Sequence, residues 1–257
     1  MSLETLQWLS PVVIVTSGII FALLEKRFPY NANQRLFRQG FWTDLIAYGI
    51  LQSYFMALVI SLLIHEIDRY SGLSQLGLLR SWPISLQVIF FIVTHDLNTY
   101  LIHRAQHTSS FLWRTHEAHH ACGQVDFLSG IRSHCLEILL YQTAEFLPVV
   151  LLGASAEVPL YKGMANAVYG MYIHANLNWK MGKWLLVFNG PELHRWHHAK
   201  EDAAFFNKNL GTKFTIWDRI LGTFRMPKRP ACDYGVEDRK FPEGWWKQHW
   251  YAFRALS

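Results

Sequence analysis

Residues 95–134 read HDLNTYLIHRAQHTSSFLWRTHEAHHACGQVDFLSGIRSH. Two histidine clusters stand in this stretch, His103-x3-His107 and His116-x2-His119-His120. A third, His194-x2-His197-His198, lies about eighty residues later and repeats the spacing of the second. On a helix, positions i, i+3 and i+4 share a face, so each cluster aims its imidazoles at a common point. Neutral imidazole binds iron, zinc, copper and nickel without needing a thiolate. Core packing is a poor account of eight histidines at one-turn spacing; a metal site is a good one.

The number of ligands narrows the chemistry. A first-row ion accepts about six ligands at most. Eight clustered histidines, with His174 in the segment IHANLNW as a ninth, exceed that number, so two ions sharing the ligands are expected. Structural zinc does not fit, because such sites are four-coordinate and usually thiolate-rich. Cys122, Cys135 and Cys232 form no C-x2-4-C pair, imply no disulfide framework, and suit a reducing compartment. An all-imidazole dinuclear site beside lipid suits redox iron with a position open to dioxygen.

Lipid enters the argument through hydropathy. The chain has 257 residues with 11 Trp and 17 Phe, and its mean hydropathy of +0.08 is high for a soluble protein. Residues 6–24, 42–64 and 83–102 are each apolar over about the 20 residues a membrane crossing needs. A signal peptide is the competing reading of the first run. It fails on the missing basic n-region and cleavage site. Lys26, Arg27, Arg35 and Arg38 follow that run as a basic loop expected on the cytoplasmic side, and the third span returns the first histidine cluster to the same side. Residues 135–153, interrupted by Glu137, Gln142 and Glu145, and residues 156–176, from Lys162 at the outer end to His174 at the inner, read as a helical hairpin. Its polar face would border a substrate cavity. The fold expected is all-α: a polytopic bundle of about four spanning helices, with a re-entrant hairpin as the variant, carrying a cytoplasmic histidine-rich lobe. The formal net charge of +5 comes without a nucleic-acid motif, so anionic headgroups are its better partner.

The segments HDLNTYLIHRAQH, LWRTHEAHHACG, GIRSHCLEILL, HANLNW and PELHRWHH, followed by NLGTKFTIWDRILGTF, resemble the fatty acid hydroxylase / sterol desaturase superfamily over roughly residues 90–226. The resemblance implies an integral membrane enzyme. Its di-iron centre would activate dioxygen for hydroxylation or desaturation of a lipid such as a sterol or fatty acyl chain. It places His103, His107, His116, His119, His120, His194, His197 and His198 in the three histidine boxes, and His174 at the family's isolated histidine. Asn178 stands where some relatives carry a further histidine, which leaves that position open to water or dioxygen. The whole chain, 1–257, is then one domain with its catalytic core at about 90–226 and an interfacial C-terminal segment at 241–257. No fused cytochrome or ferredoxin is present, so a separate electron donor (a ferredoxin, or a b-type cytochrome with its reductase) is expected. The absence of a dilysine-type tail favours a bacterial inner membrane over the endoplasmic reticulum.

Several residues outside the boxes carry their own expectations. Asp96 falls at i, i+7 and i+11 with His103 and His107, and an ionisable residue in a span usually faces a polar interior. It is the candidate carboxylate for a hydrogen bond from a ligand imidazole. His95 and His134 are left outside the ligand set, His134 as a buried histidine with a hydrogen-bond partner. His65 and His249 are read as residues at headgroup level, and Trp196 as core filling. Two other classes compete with the lipid oxygenase. A non-catalytic metal or haem carrier would want facing bis-histidine helices or broken midplane helices. A zinc hydrolase would want H-E-x-x-H, and the second triplet, HRWHH, lacks the glutamate.

Overall fold

The computed structural model describes residues 2–238 and 240–255. Among these residues, three helices are long and apolar enough to cross a membrane: α1 (Leu3–Arg27), α2 (Thr43–Ser71) and α3 (Ile84–Thr108). At 1.5 Å per residue each exceeds the ~30 Å hydrocarbon layer. Their outward faces stay apolar: Trp8, Val12, Val15, Ile19 and Leu23 on α1, and Leu51, Phe55, Leu58 and Leu62 on α2, are exposed, as lipid-facing residues should be. Ser2 caps α1 by accepting the Thr5 N–H at 3.1 Å. Gly72 stops α2 in a left-handed conformation, φ 65°. That helix runs past the 42–64 stretch, so the residues HEIDRY are helical and not a loop. Its first ten residues, Thr43–Gln52, are π-wound and turn Asp44, Tyr48 and Gln52 inward.

Two shorter helices form the hairpin, α5 (Cys135–Leu151) and α6 (Val158–His174), each of 17 residues. At ~25 Å they fall short of a full crossing. Among the described residues three helices are thus of spanning length, and the hairpin helices are shorter. α1 packs on α6, α2 on α5, and α3 on both, so the hairpin is central and the long helices surround it. Phe21 of α1 joins Phe41, Phe127, Leu128, Ala175 and Leu177 in one buried cluster. Met56, Ile60 and Ile64 of α2 meet Ile138 of α5 in another.

The polar lobe is built from α4 (Ser110–His120), α7 (Pro191–His197), α8 (Ile216–Ile220), α9 (Trp245–Tyr251) and their loops. Among the described residues it holds three isolated bridges and no strand. A buried ion network ties the lobe to α2. Arg38 Nε lies 2.6 Å from Asp126 Oδ2 and its Nη2 2.7 Å from Asp44 Oδ2, while Arg132 Nε lies 2.5 Å from Asp44 Oδ1. Removing one partner of such a network strands a buried charge, at a cost of about 3–5 kcal/mol. Arg38, read from the sequence as a loop charge, is thus a structural cation. Glu25 adds a second tie, accepting the backbone N–H groups of Phe127 and Asn176 at 2.7 and 2.8 Å.

The C-terminal segment is a seven-residue helix with two faces. Trp246, Trp250 and Phe253 are exposed, while Gln248 and His249 are buried. His249 is therefore not at headgroup level: its Nε2 accepts the Cys135 N–H at 3.1 Å, docking α9 onto the start of α5.

Candidate metal centre

Ser109 breaks the chain between α3 and α4. Its extended backbone turns the second helix back on the first, and its hydroxyl accepts the Leu112 N–H. His103 and His107, on the last turns of α3, then face His116, His119 and His120 of α4. Gly190 and Pro191 start α7, a Pro in the first turn replacing an N–H that has no helical partner. That helix delivers His194 and His197, with His198 at its C-cap. His174 ends α6. All nine histidines singled out in the sequence are buried and fall into two groups, His103, His107, His116, His120 and His197 in one, His119, His174, His194 and His198 in the other. Within each group the ligand nitrogens lie within 4.8 Å of one another, close enough to hold a metal ion. The groups adjoin: the rings of His120 and His198 are 4.5 Å apart, centre to centre.

Hydrogen bonds orient five of the nine rings. His103 Nδ1 donates to the Leu210 carbonyl (2.7 Å), His119 Nδ1 to Arg132 (3.1 Å), His174 Nδ1 to Gly170 (2.8 Å) and His197 Nδ1 to Lys208 (2.9 Å). His116 Nδ1 donates to Glu137 Oε1 at 2.5 Å. A carbonyl can only accept, so the four rings bonded to carbonyls carry their proton on Nδ1 and turn a lone pair inward on Nε2, and an ionised Glu137 holds His116 the same way. Yet His103 Nε2 and His116 Nε2 are 3.0 Å apart, and His119 Nε2 and His174 Nε2 are 3.2 Å apart. His194 Nε2 stands 2.9 Å from His174 Nε2 and 3.1 Å from His198 Nε2. Where both nitrogens present lone pairs, as between His119 and His174, they repel unless a cation sits between them. His107 (both ring nitrogens), His120 Nε2 and His197 Nε2 are buried without a partner, the signature of donors waiting for a metal. Burial, then the neighbouring imidazoles, holds His116, His119, His120, His194, His197 and His198 well below the usual histidine value. The rings are neutral, as ligation requires. A donor set of nitrogen alone suits iron, zinc, copper or nickel, and not magnesium or calcium.

Asp96 lies elsewhere than its helical register suggests. Oδ1 accepts from Thr212 Oγ1 and the Lys213 N–H at 2.7 and 2.9 Å, and Oδ2 from the Phe214 N–H and Trp217 Nε1, both at 3.0 Å. It fastens the 212–217 segment to α3 and contacts none of the nine rings. Glu137 makes the carboxylate contact that was expected of Asp96. The signal was present, since Glu137 interrupts an apolar stretch where a charge is costly. Gly130 was also missed: a Cβ built there would lie 2.5 Å from His174 Nδ1. The segment Lys208–Leu210 supplies two of the orienting carbonyls. It is held by Asp218, whose Oδ1 accepts the Leu210 N–H (2.8 Å) and the Thr223 hydroxyl (2.6 Å).

The remaining expectations fall both ways. His134 is buried, capping α5 through the Leu136 N–H and donating Nε2–H to the His249 carbonyl. Trp196 is 1% exposed and packs on Phe205, Tyr234 and Ala231, as core filling should. His65 is exposed. Asn178 is exposed, with its N–H on the Phe28 carbonyl, so it opens no position at the clusters. A cavity of about 270 Å³ lies between α3, α5 and α6 and reaches His103, His116, His119, His174 and His194. A second, of about 450 Å³, reaches His120, His197 and His198 from the polar lobe, beside Trp113, Glu117 and Phe206.

This arrangement is that of a membrane protein with a paired histidine centre, and comparison with known proteins gives it a family. Residues 88–223 match the model of the fatty acid hydroxylase family. An ornithine lipid hydroxylase of Rhizobium tropici is 32% identical over 239 residues, covering 90% of this chain and 71% of that one. An alkylglycerol monooxygenase of Caenorhabditis elegans is 29% identical over 181 residues, 68% of this chain and 34% of the relative. A Delta(7)-sterol 5(6)-desaturase of Aspergillus fumigatus is 29% identical over 190 residues, 69% of this chain and 51% of the relative. No solved structure matches. The chain belongs to the fatty acid hydroxylase family and is an oxidoreductase.

Proposed function

We propose that the protein is a monooxygenase that uses dioxygen and two iron ions to hydroxylate a C–H bond of a membrane lipid. The observation that carries this reading is the convergence of nine buried histidines into two adjoining groups with Nε2 atoms 2.9–3.2 Å apart, an arrangement that bound cations stabilise. His103, His107, His116, His120 and His197 would hold one ion, and His119, His174, His194 and His198 the other. Bound there, an iron pair supplies dioxygen activation, one oxygen atom entering the C–H bond and the other leaving as water with two electrons and two protons from outside. The protein's residues do the rest. Glu137 and the carbonyls of Leu210, Arg132, Gly170 and Lys208 hold each proton on Nδ1 and fix ring orientation. Burial keeps the rings neutral, and α3, α5 and α6 keep the substrate cavity away from bulk water.

The hydroxylase reading is preferred to desaturation because the ornithine lipid hydroxylase matches over 90% of this chain and 71% of its own length, against 69% and 51% for the sterol desaturase. The sterol desaturase relative keeps desaturation as the second reading. The two electrons would come from a separate ferredoxin, or a b-type cytochrome with its reductase, meeting the polar lobe. That lobe would lie on the cytoplasmic face of a bacterial inner membrane. The catalytic core would be residues 90–226 of a single domain, with 241–257 at the interface.

The test is turnover under labelled dioxygen. Protein from iron-replete cells, given bacterial lipid extract and a chemical reductant, should yield lipid heavier by one ¹⁸O atom. Label arriving from water instead, or a product two hydrogens lighter without oxygen, would contradict hydroxylation.

A further inference from the structure

Asp96 marks a depth as well as a contact. It is the midpoint of the 25-residue α3, about 18 Å along the helix from Ile84. Trp82, exposed just before that helix, suits the far membrane surface. A hydrocarbon layer of ~30 Å that begins there still has roughly 12 Å to run at Asp96. A helix tilt of ~20° changes this by about 1 Å. The segment that Asp96 fastens down, residues 212–217, therefore belongs at the depth of acyl chains and not in water above the membrane. Its polar groups are met accordingly. Asp96 takes the N–H groups of Lys213 and Phe214 and the indole N–H of Trp217. The adjoining stretch, 182–189, gives its Leu185 carbonyl to the Thr215 hydroxyl at 2.8 Å and its Val187 carbonyl to the Thr215 N–H at 2.9 Å. The Asn189 N–H donates to the Lys213 carbonyl at 2.7 Å. Non-helical backbone at membrane depth is tolerated where protein satisfies it in this way.

The outer surface of these two stretches is apolar with a basic rim. Trp184, Leu186, Val187, Ile216 and Ile220 are exposed, and so are Lys180, Lys183 and Arg219. No acidic residue occurs between 178 and 191, and between 212 and 231 the single one, Asp218, is buried. Acyl chains beneath anionic headgroups match that pattern: the apolar side chains meet the chains, and the long basic ones extend to the phosphates. We infer that residues 182–188 and 214–221 form a re-entrant ledge sunk into the leaflet on the polar-lobe side, with Lys180, Lys183 and Arg219 on anionic lipid phosphates. α8, counted with the polar lobe, is then its membrane-facing side. Thr212 and Lys213, at the inner edge of the ledge, line the 270 Å³ cavity, so the ledge holds that cavity level with the acyl chains. The ledge requires α3 to cross the membrane and is independent of the reaction proposed above.

Spin labels test the depth. In a Cys232→Ser background, which removes the exposed thiol, a nitroxide is attached in turn to Trp184→Cys, Ile220→Cys, Val93→Cys and Asn207→Cys in phosphatidylglycerol nanodiscs. Val93 is exposed on α3 three residues before Asp96 and reports its depth; Asn207 is exposed at the lobe-side cavity. The labels at 184 and 220 should behave like the one at 93, colliding with oxygen more often than with a water-soluble nickel chelate, and the label at 207 should show the reverse. Leu186→Cys and Ile216→Cys stand in for either ledge variant that fails to fold. Nickel collisions on the ledge as frequent as at 207 would put the patch in water and overturn the ledge. Shielding from both probes would mean that protein covers it, such as a second copy of this chain, and would overturn it too. The rim is read from lipid selectivity. Lys180→Gln/Lys183→Gln/Arg219→Gln should lower the preference for spin-labelled phosphatidylglycerol over phosphatidylcholine by about 2-fold or more. An unchanged preference would overturn the contact with anionic phosphates.

Discussion

His103 Nε2 and His116 Nε2 face each other at 3.0 Å, while each ring donates its opposite N–H, one to the Leu210 carbonyl and one to Glu137. Two helices joined at Ser109 hold this contact, and without a cation between the rings it would be repulsive. The donors on the outer side of the rings therefore matter as much as the ligands, and they can be removed one at a time.

Glu137 is the side-chain acceptor among them. Glu137→Gln keeps the shape of the side chain and weakens the hold on His116 Nδ1–H. Iron affinity, measured by chelator competition, should fall about 10–100-fold with the protein still inserted and folded. Unchanged affinity would make Glu137 a spectator.

Gly130 lets the 129–131 turn pass over His174. Gly130→Ala would bring a methyl group within 2.5 Å of His174 Nδ1 and push that ring off its site. The loss should fall on the four-histidine group alone, leaving about one metal per chain in place of two. Two metals retained would mean that His174 is dispensable.

Asp96 makes the opposite prediction from its position. In Asp96→Asn, the amide nitrogen would face donors from Phe214 and Trp217, each unsatisfied donor costing about 1–3 kcal/mol. The melting temperature should drop, with metal content per folded chain unchanged. A fall in metal affinity at constant melting temperature would restore Asp96 to a direct role beside the ligands.

Cys232 reports sidedness. It is the exposed cysteine of the three, on the polar lobe, whereas Cys122 is buried and Cys135 half-buried. A membrane-impermeant maleimide should label it in inverted bacterial vesicles and not in intact spheroplasts. The reverse pattern would put the lobe on the periplasmic side.

What could be read from the chain, and what could not, follows from the range of the interactions. The histidine spacings are local, so one-turn geometry pointed the eight clustered rings inward before any fold was known, and the family resemblance added His174. The spans were legible as well, because twenty apolar residues in a row need no partner to be recognised. Asp96 misled because its register with His103 and His107 is local but its partners, Thr212 to Trp217, are more than a hundred residues away. Glu137 and His116 meet only after α5 folds back on α4, and Gly130 matters only because His174 arrives from α6. The seven-residue α9 looked interfacial from its tryptophans; the burial of His249 depends on α5, which the local pattern does not encode.

The most direct measurement is metal analysis with Mössbauer spectroscopy on protein purified anaerobically in detergent from iron-replete cells. Two coupled irons per chain, reduced in number by changes to either histidine group, are what the account expects. A single metal, or none, would contradict it.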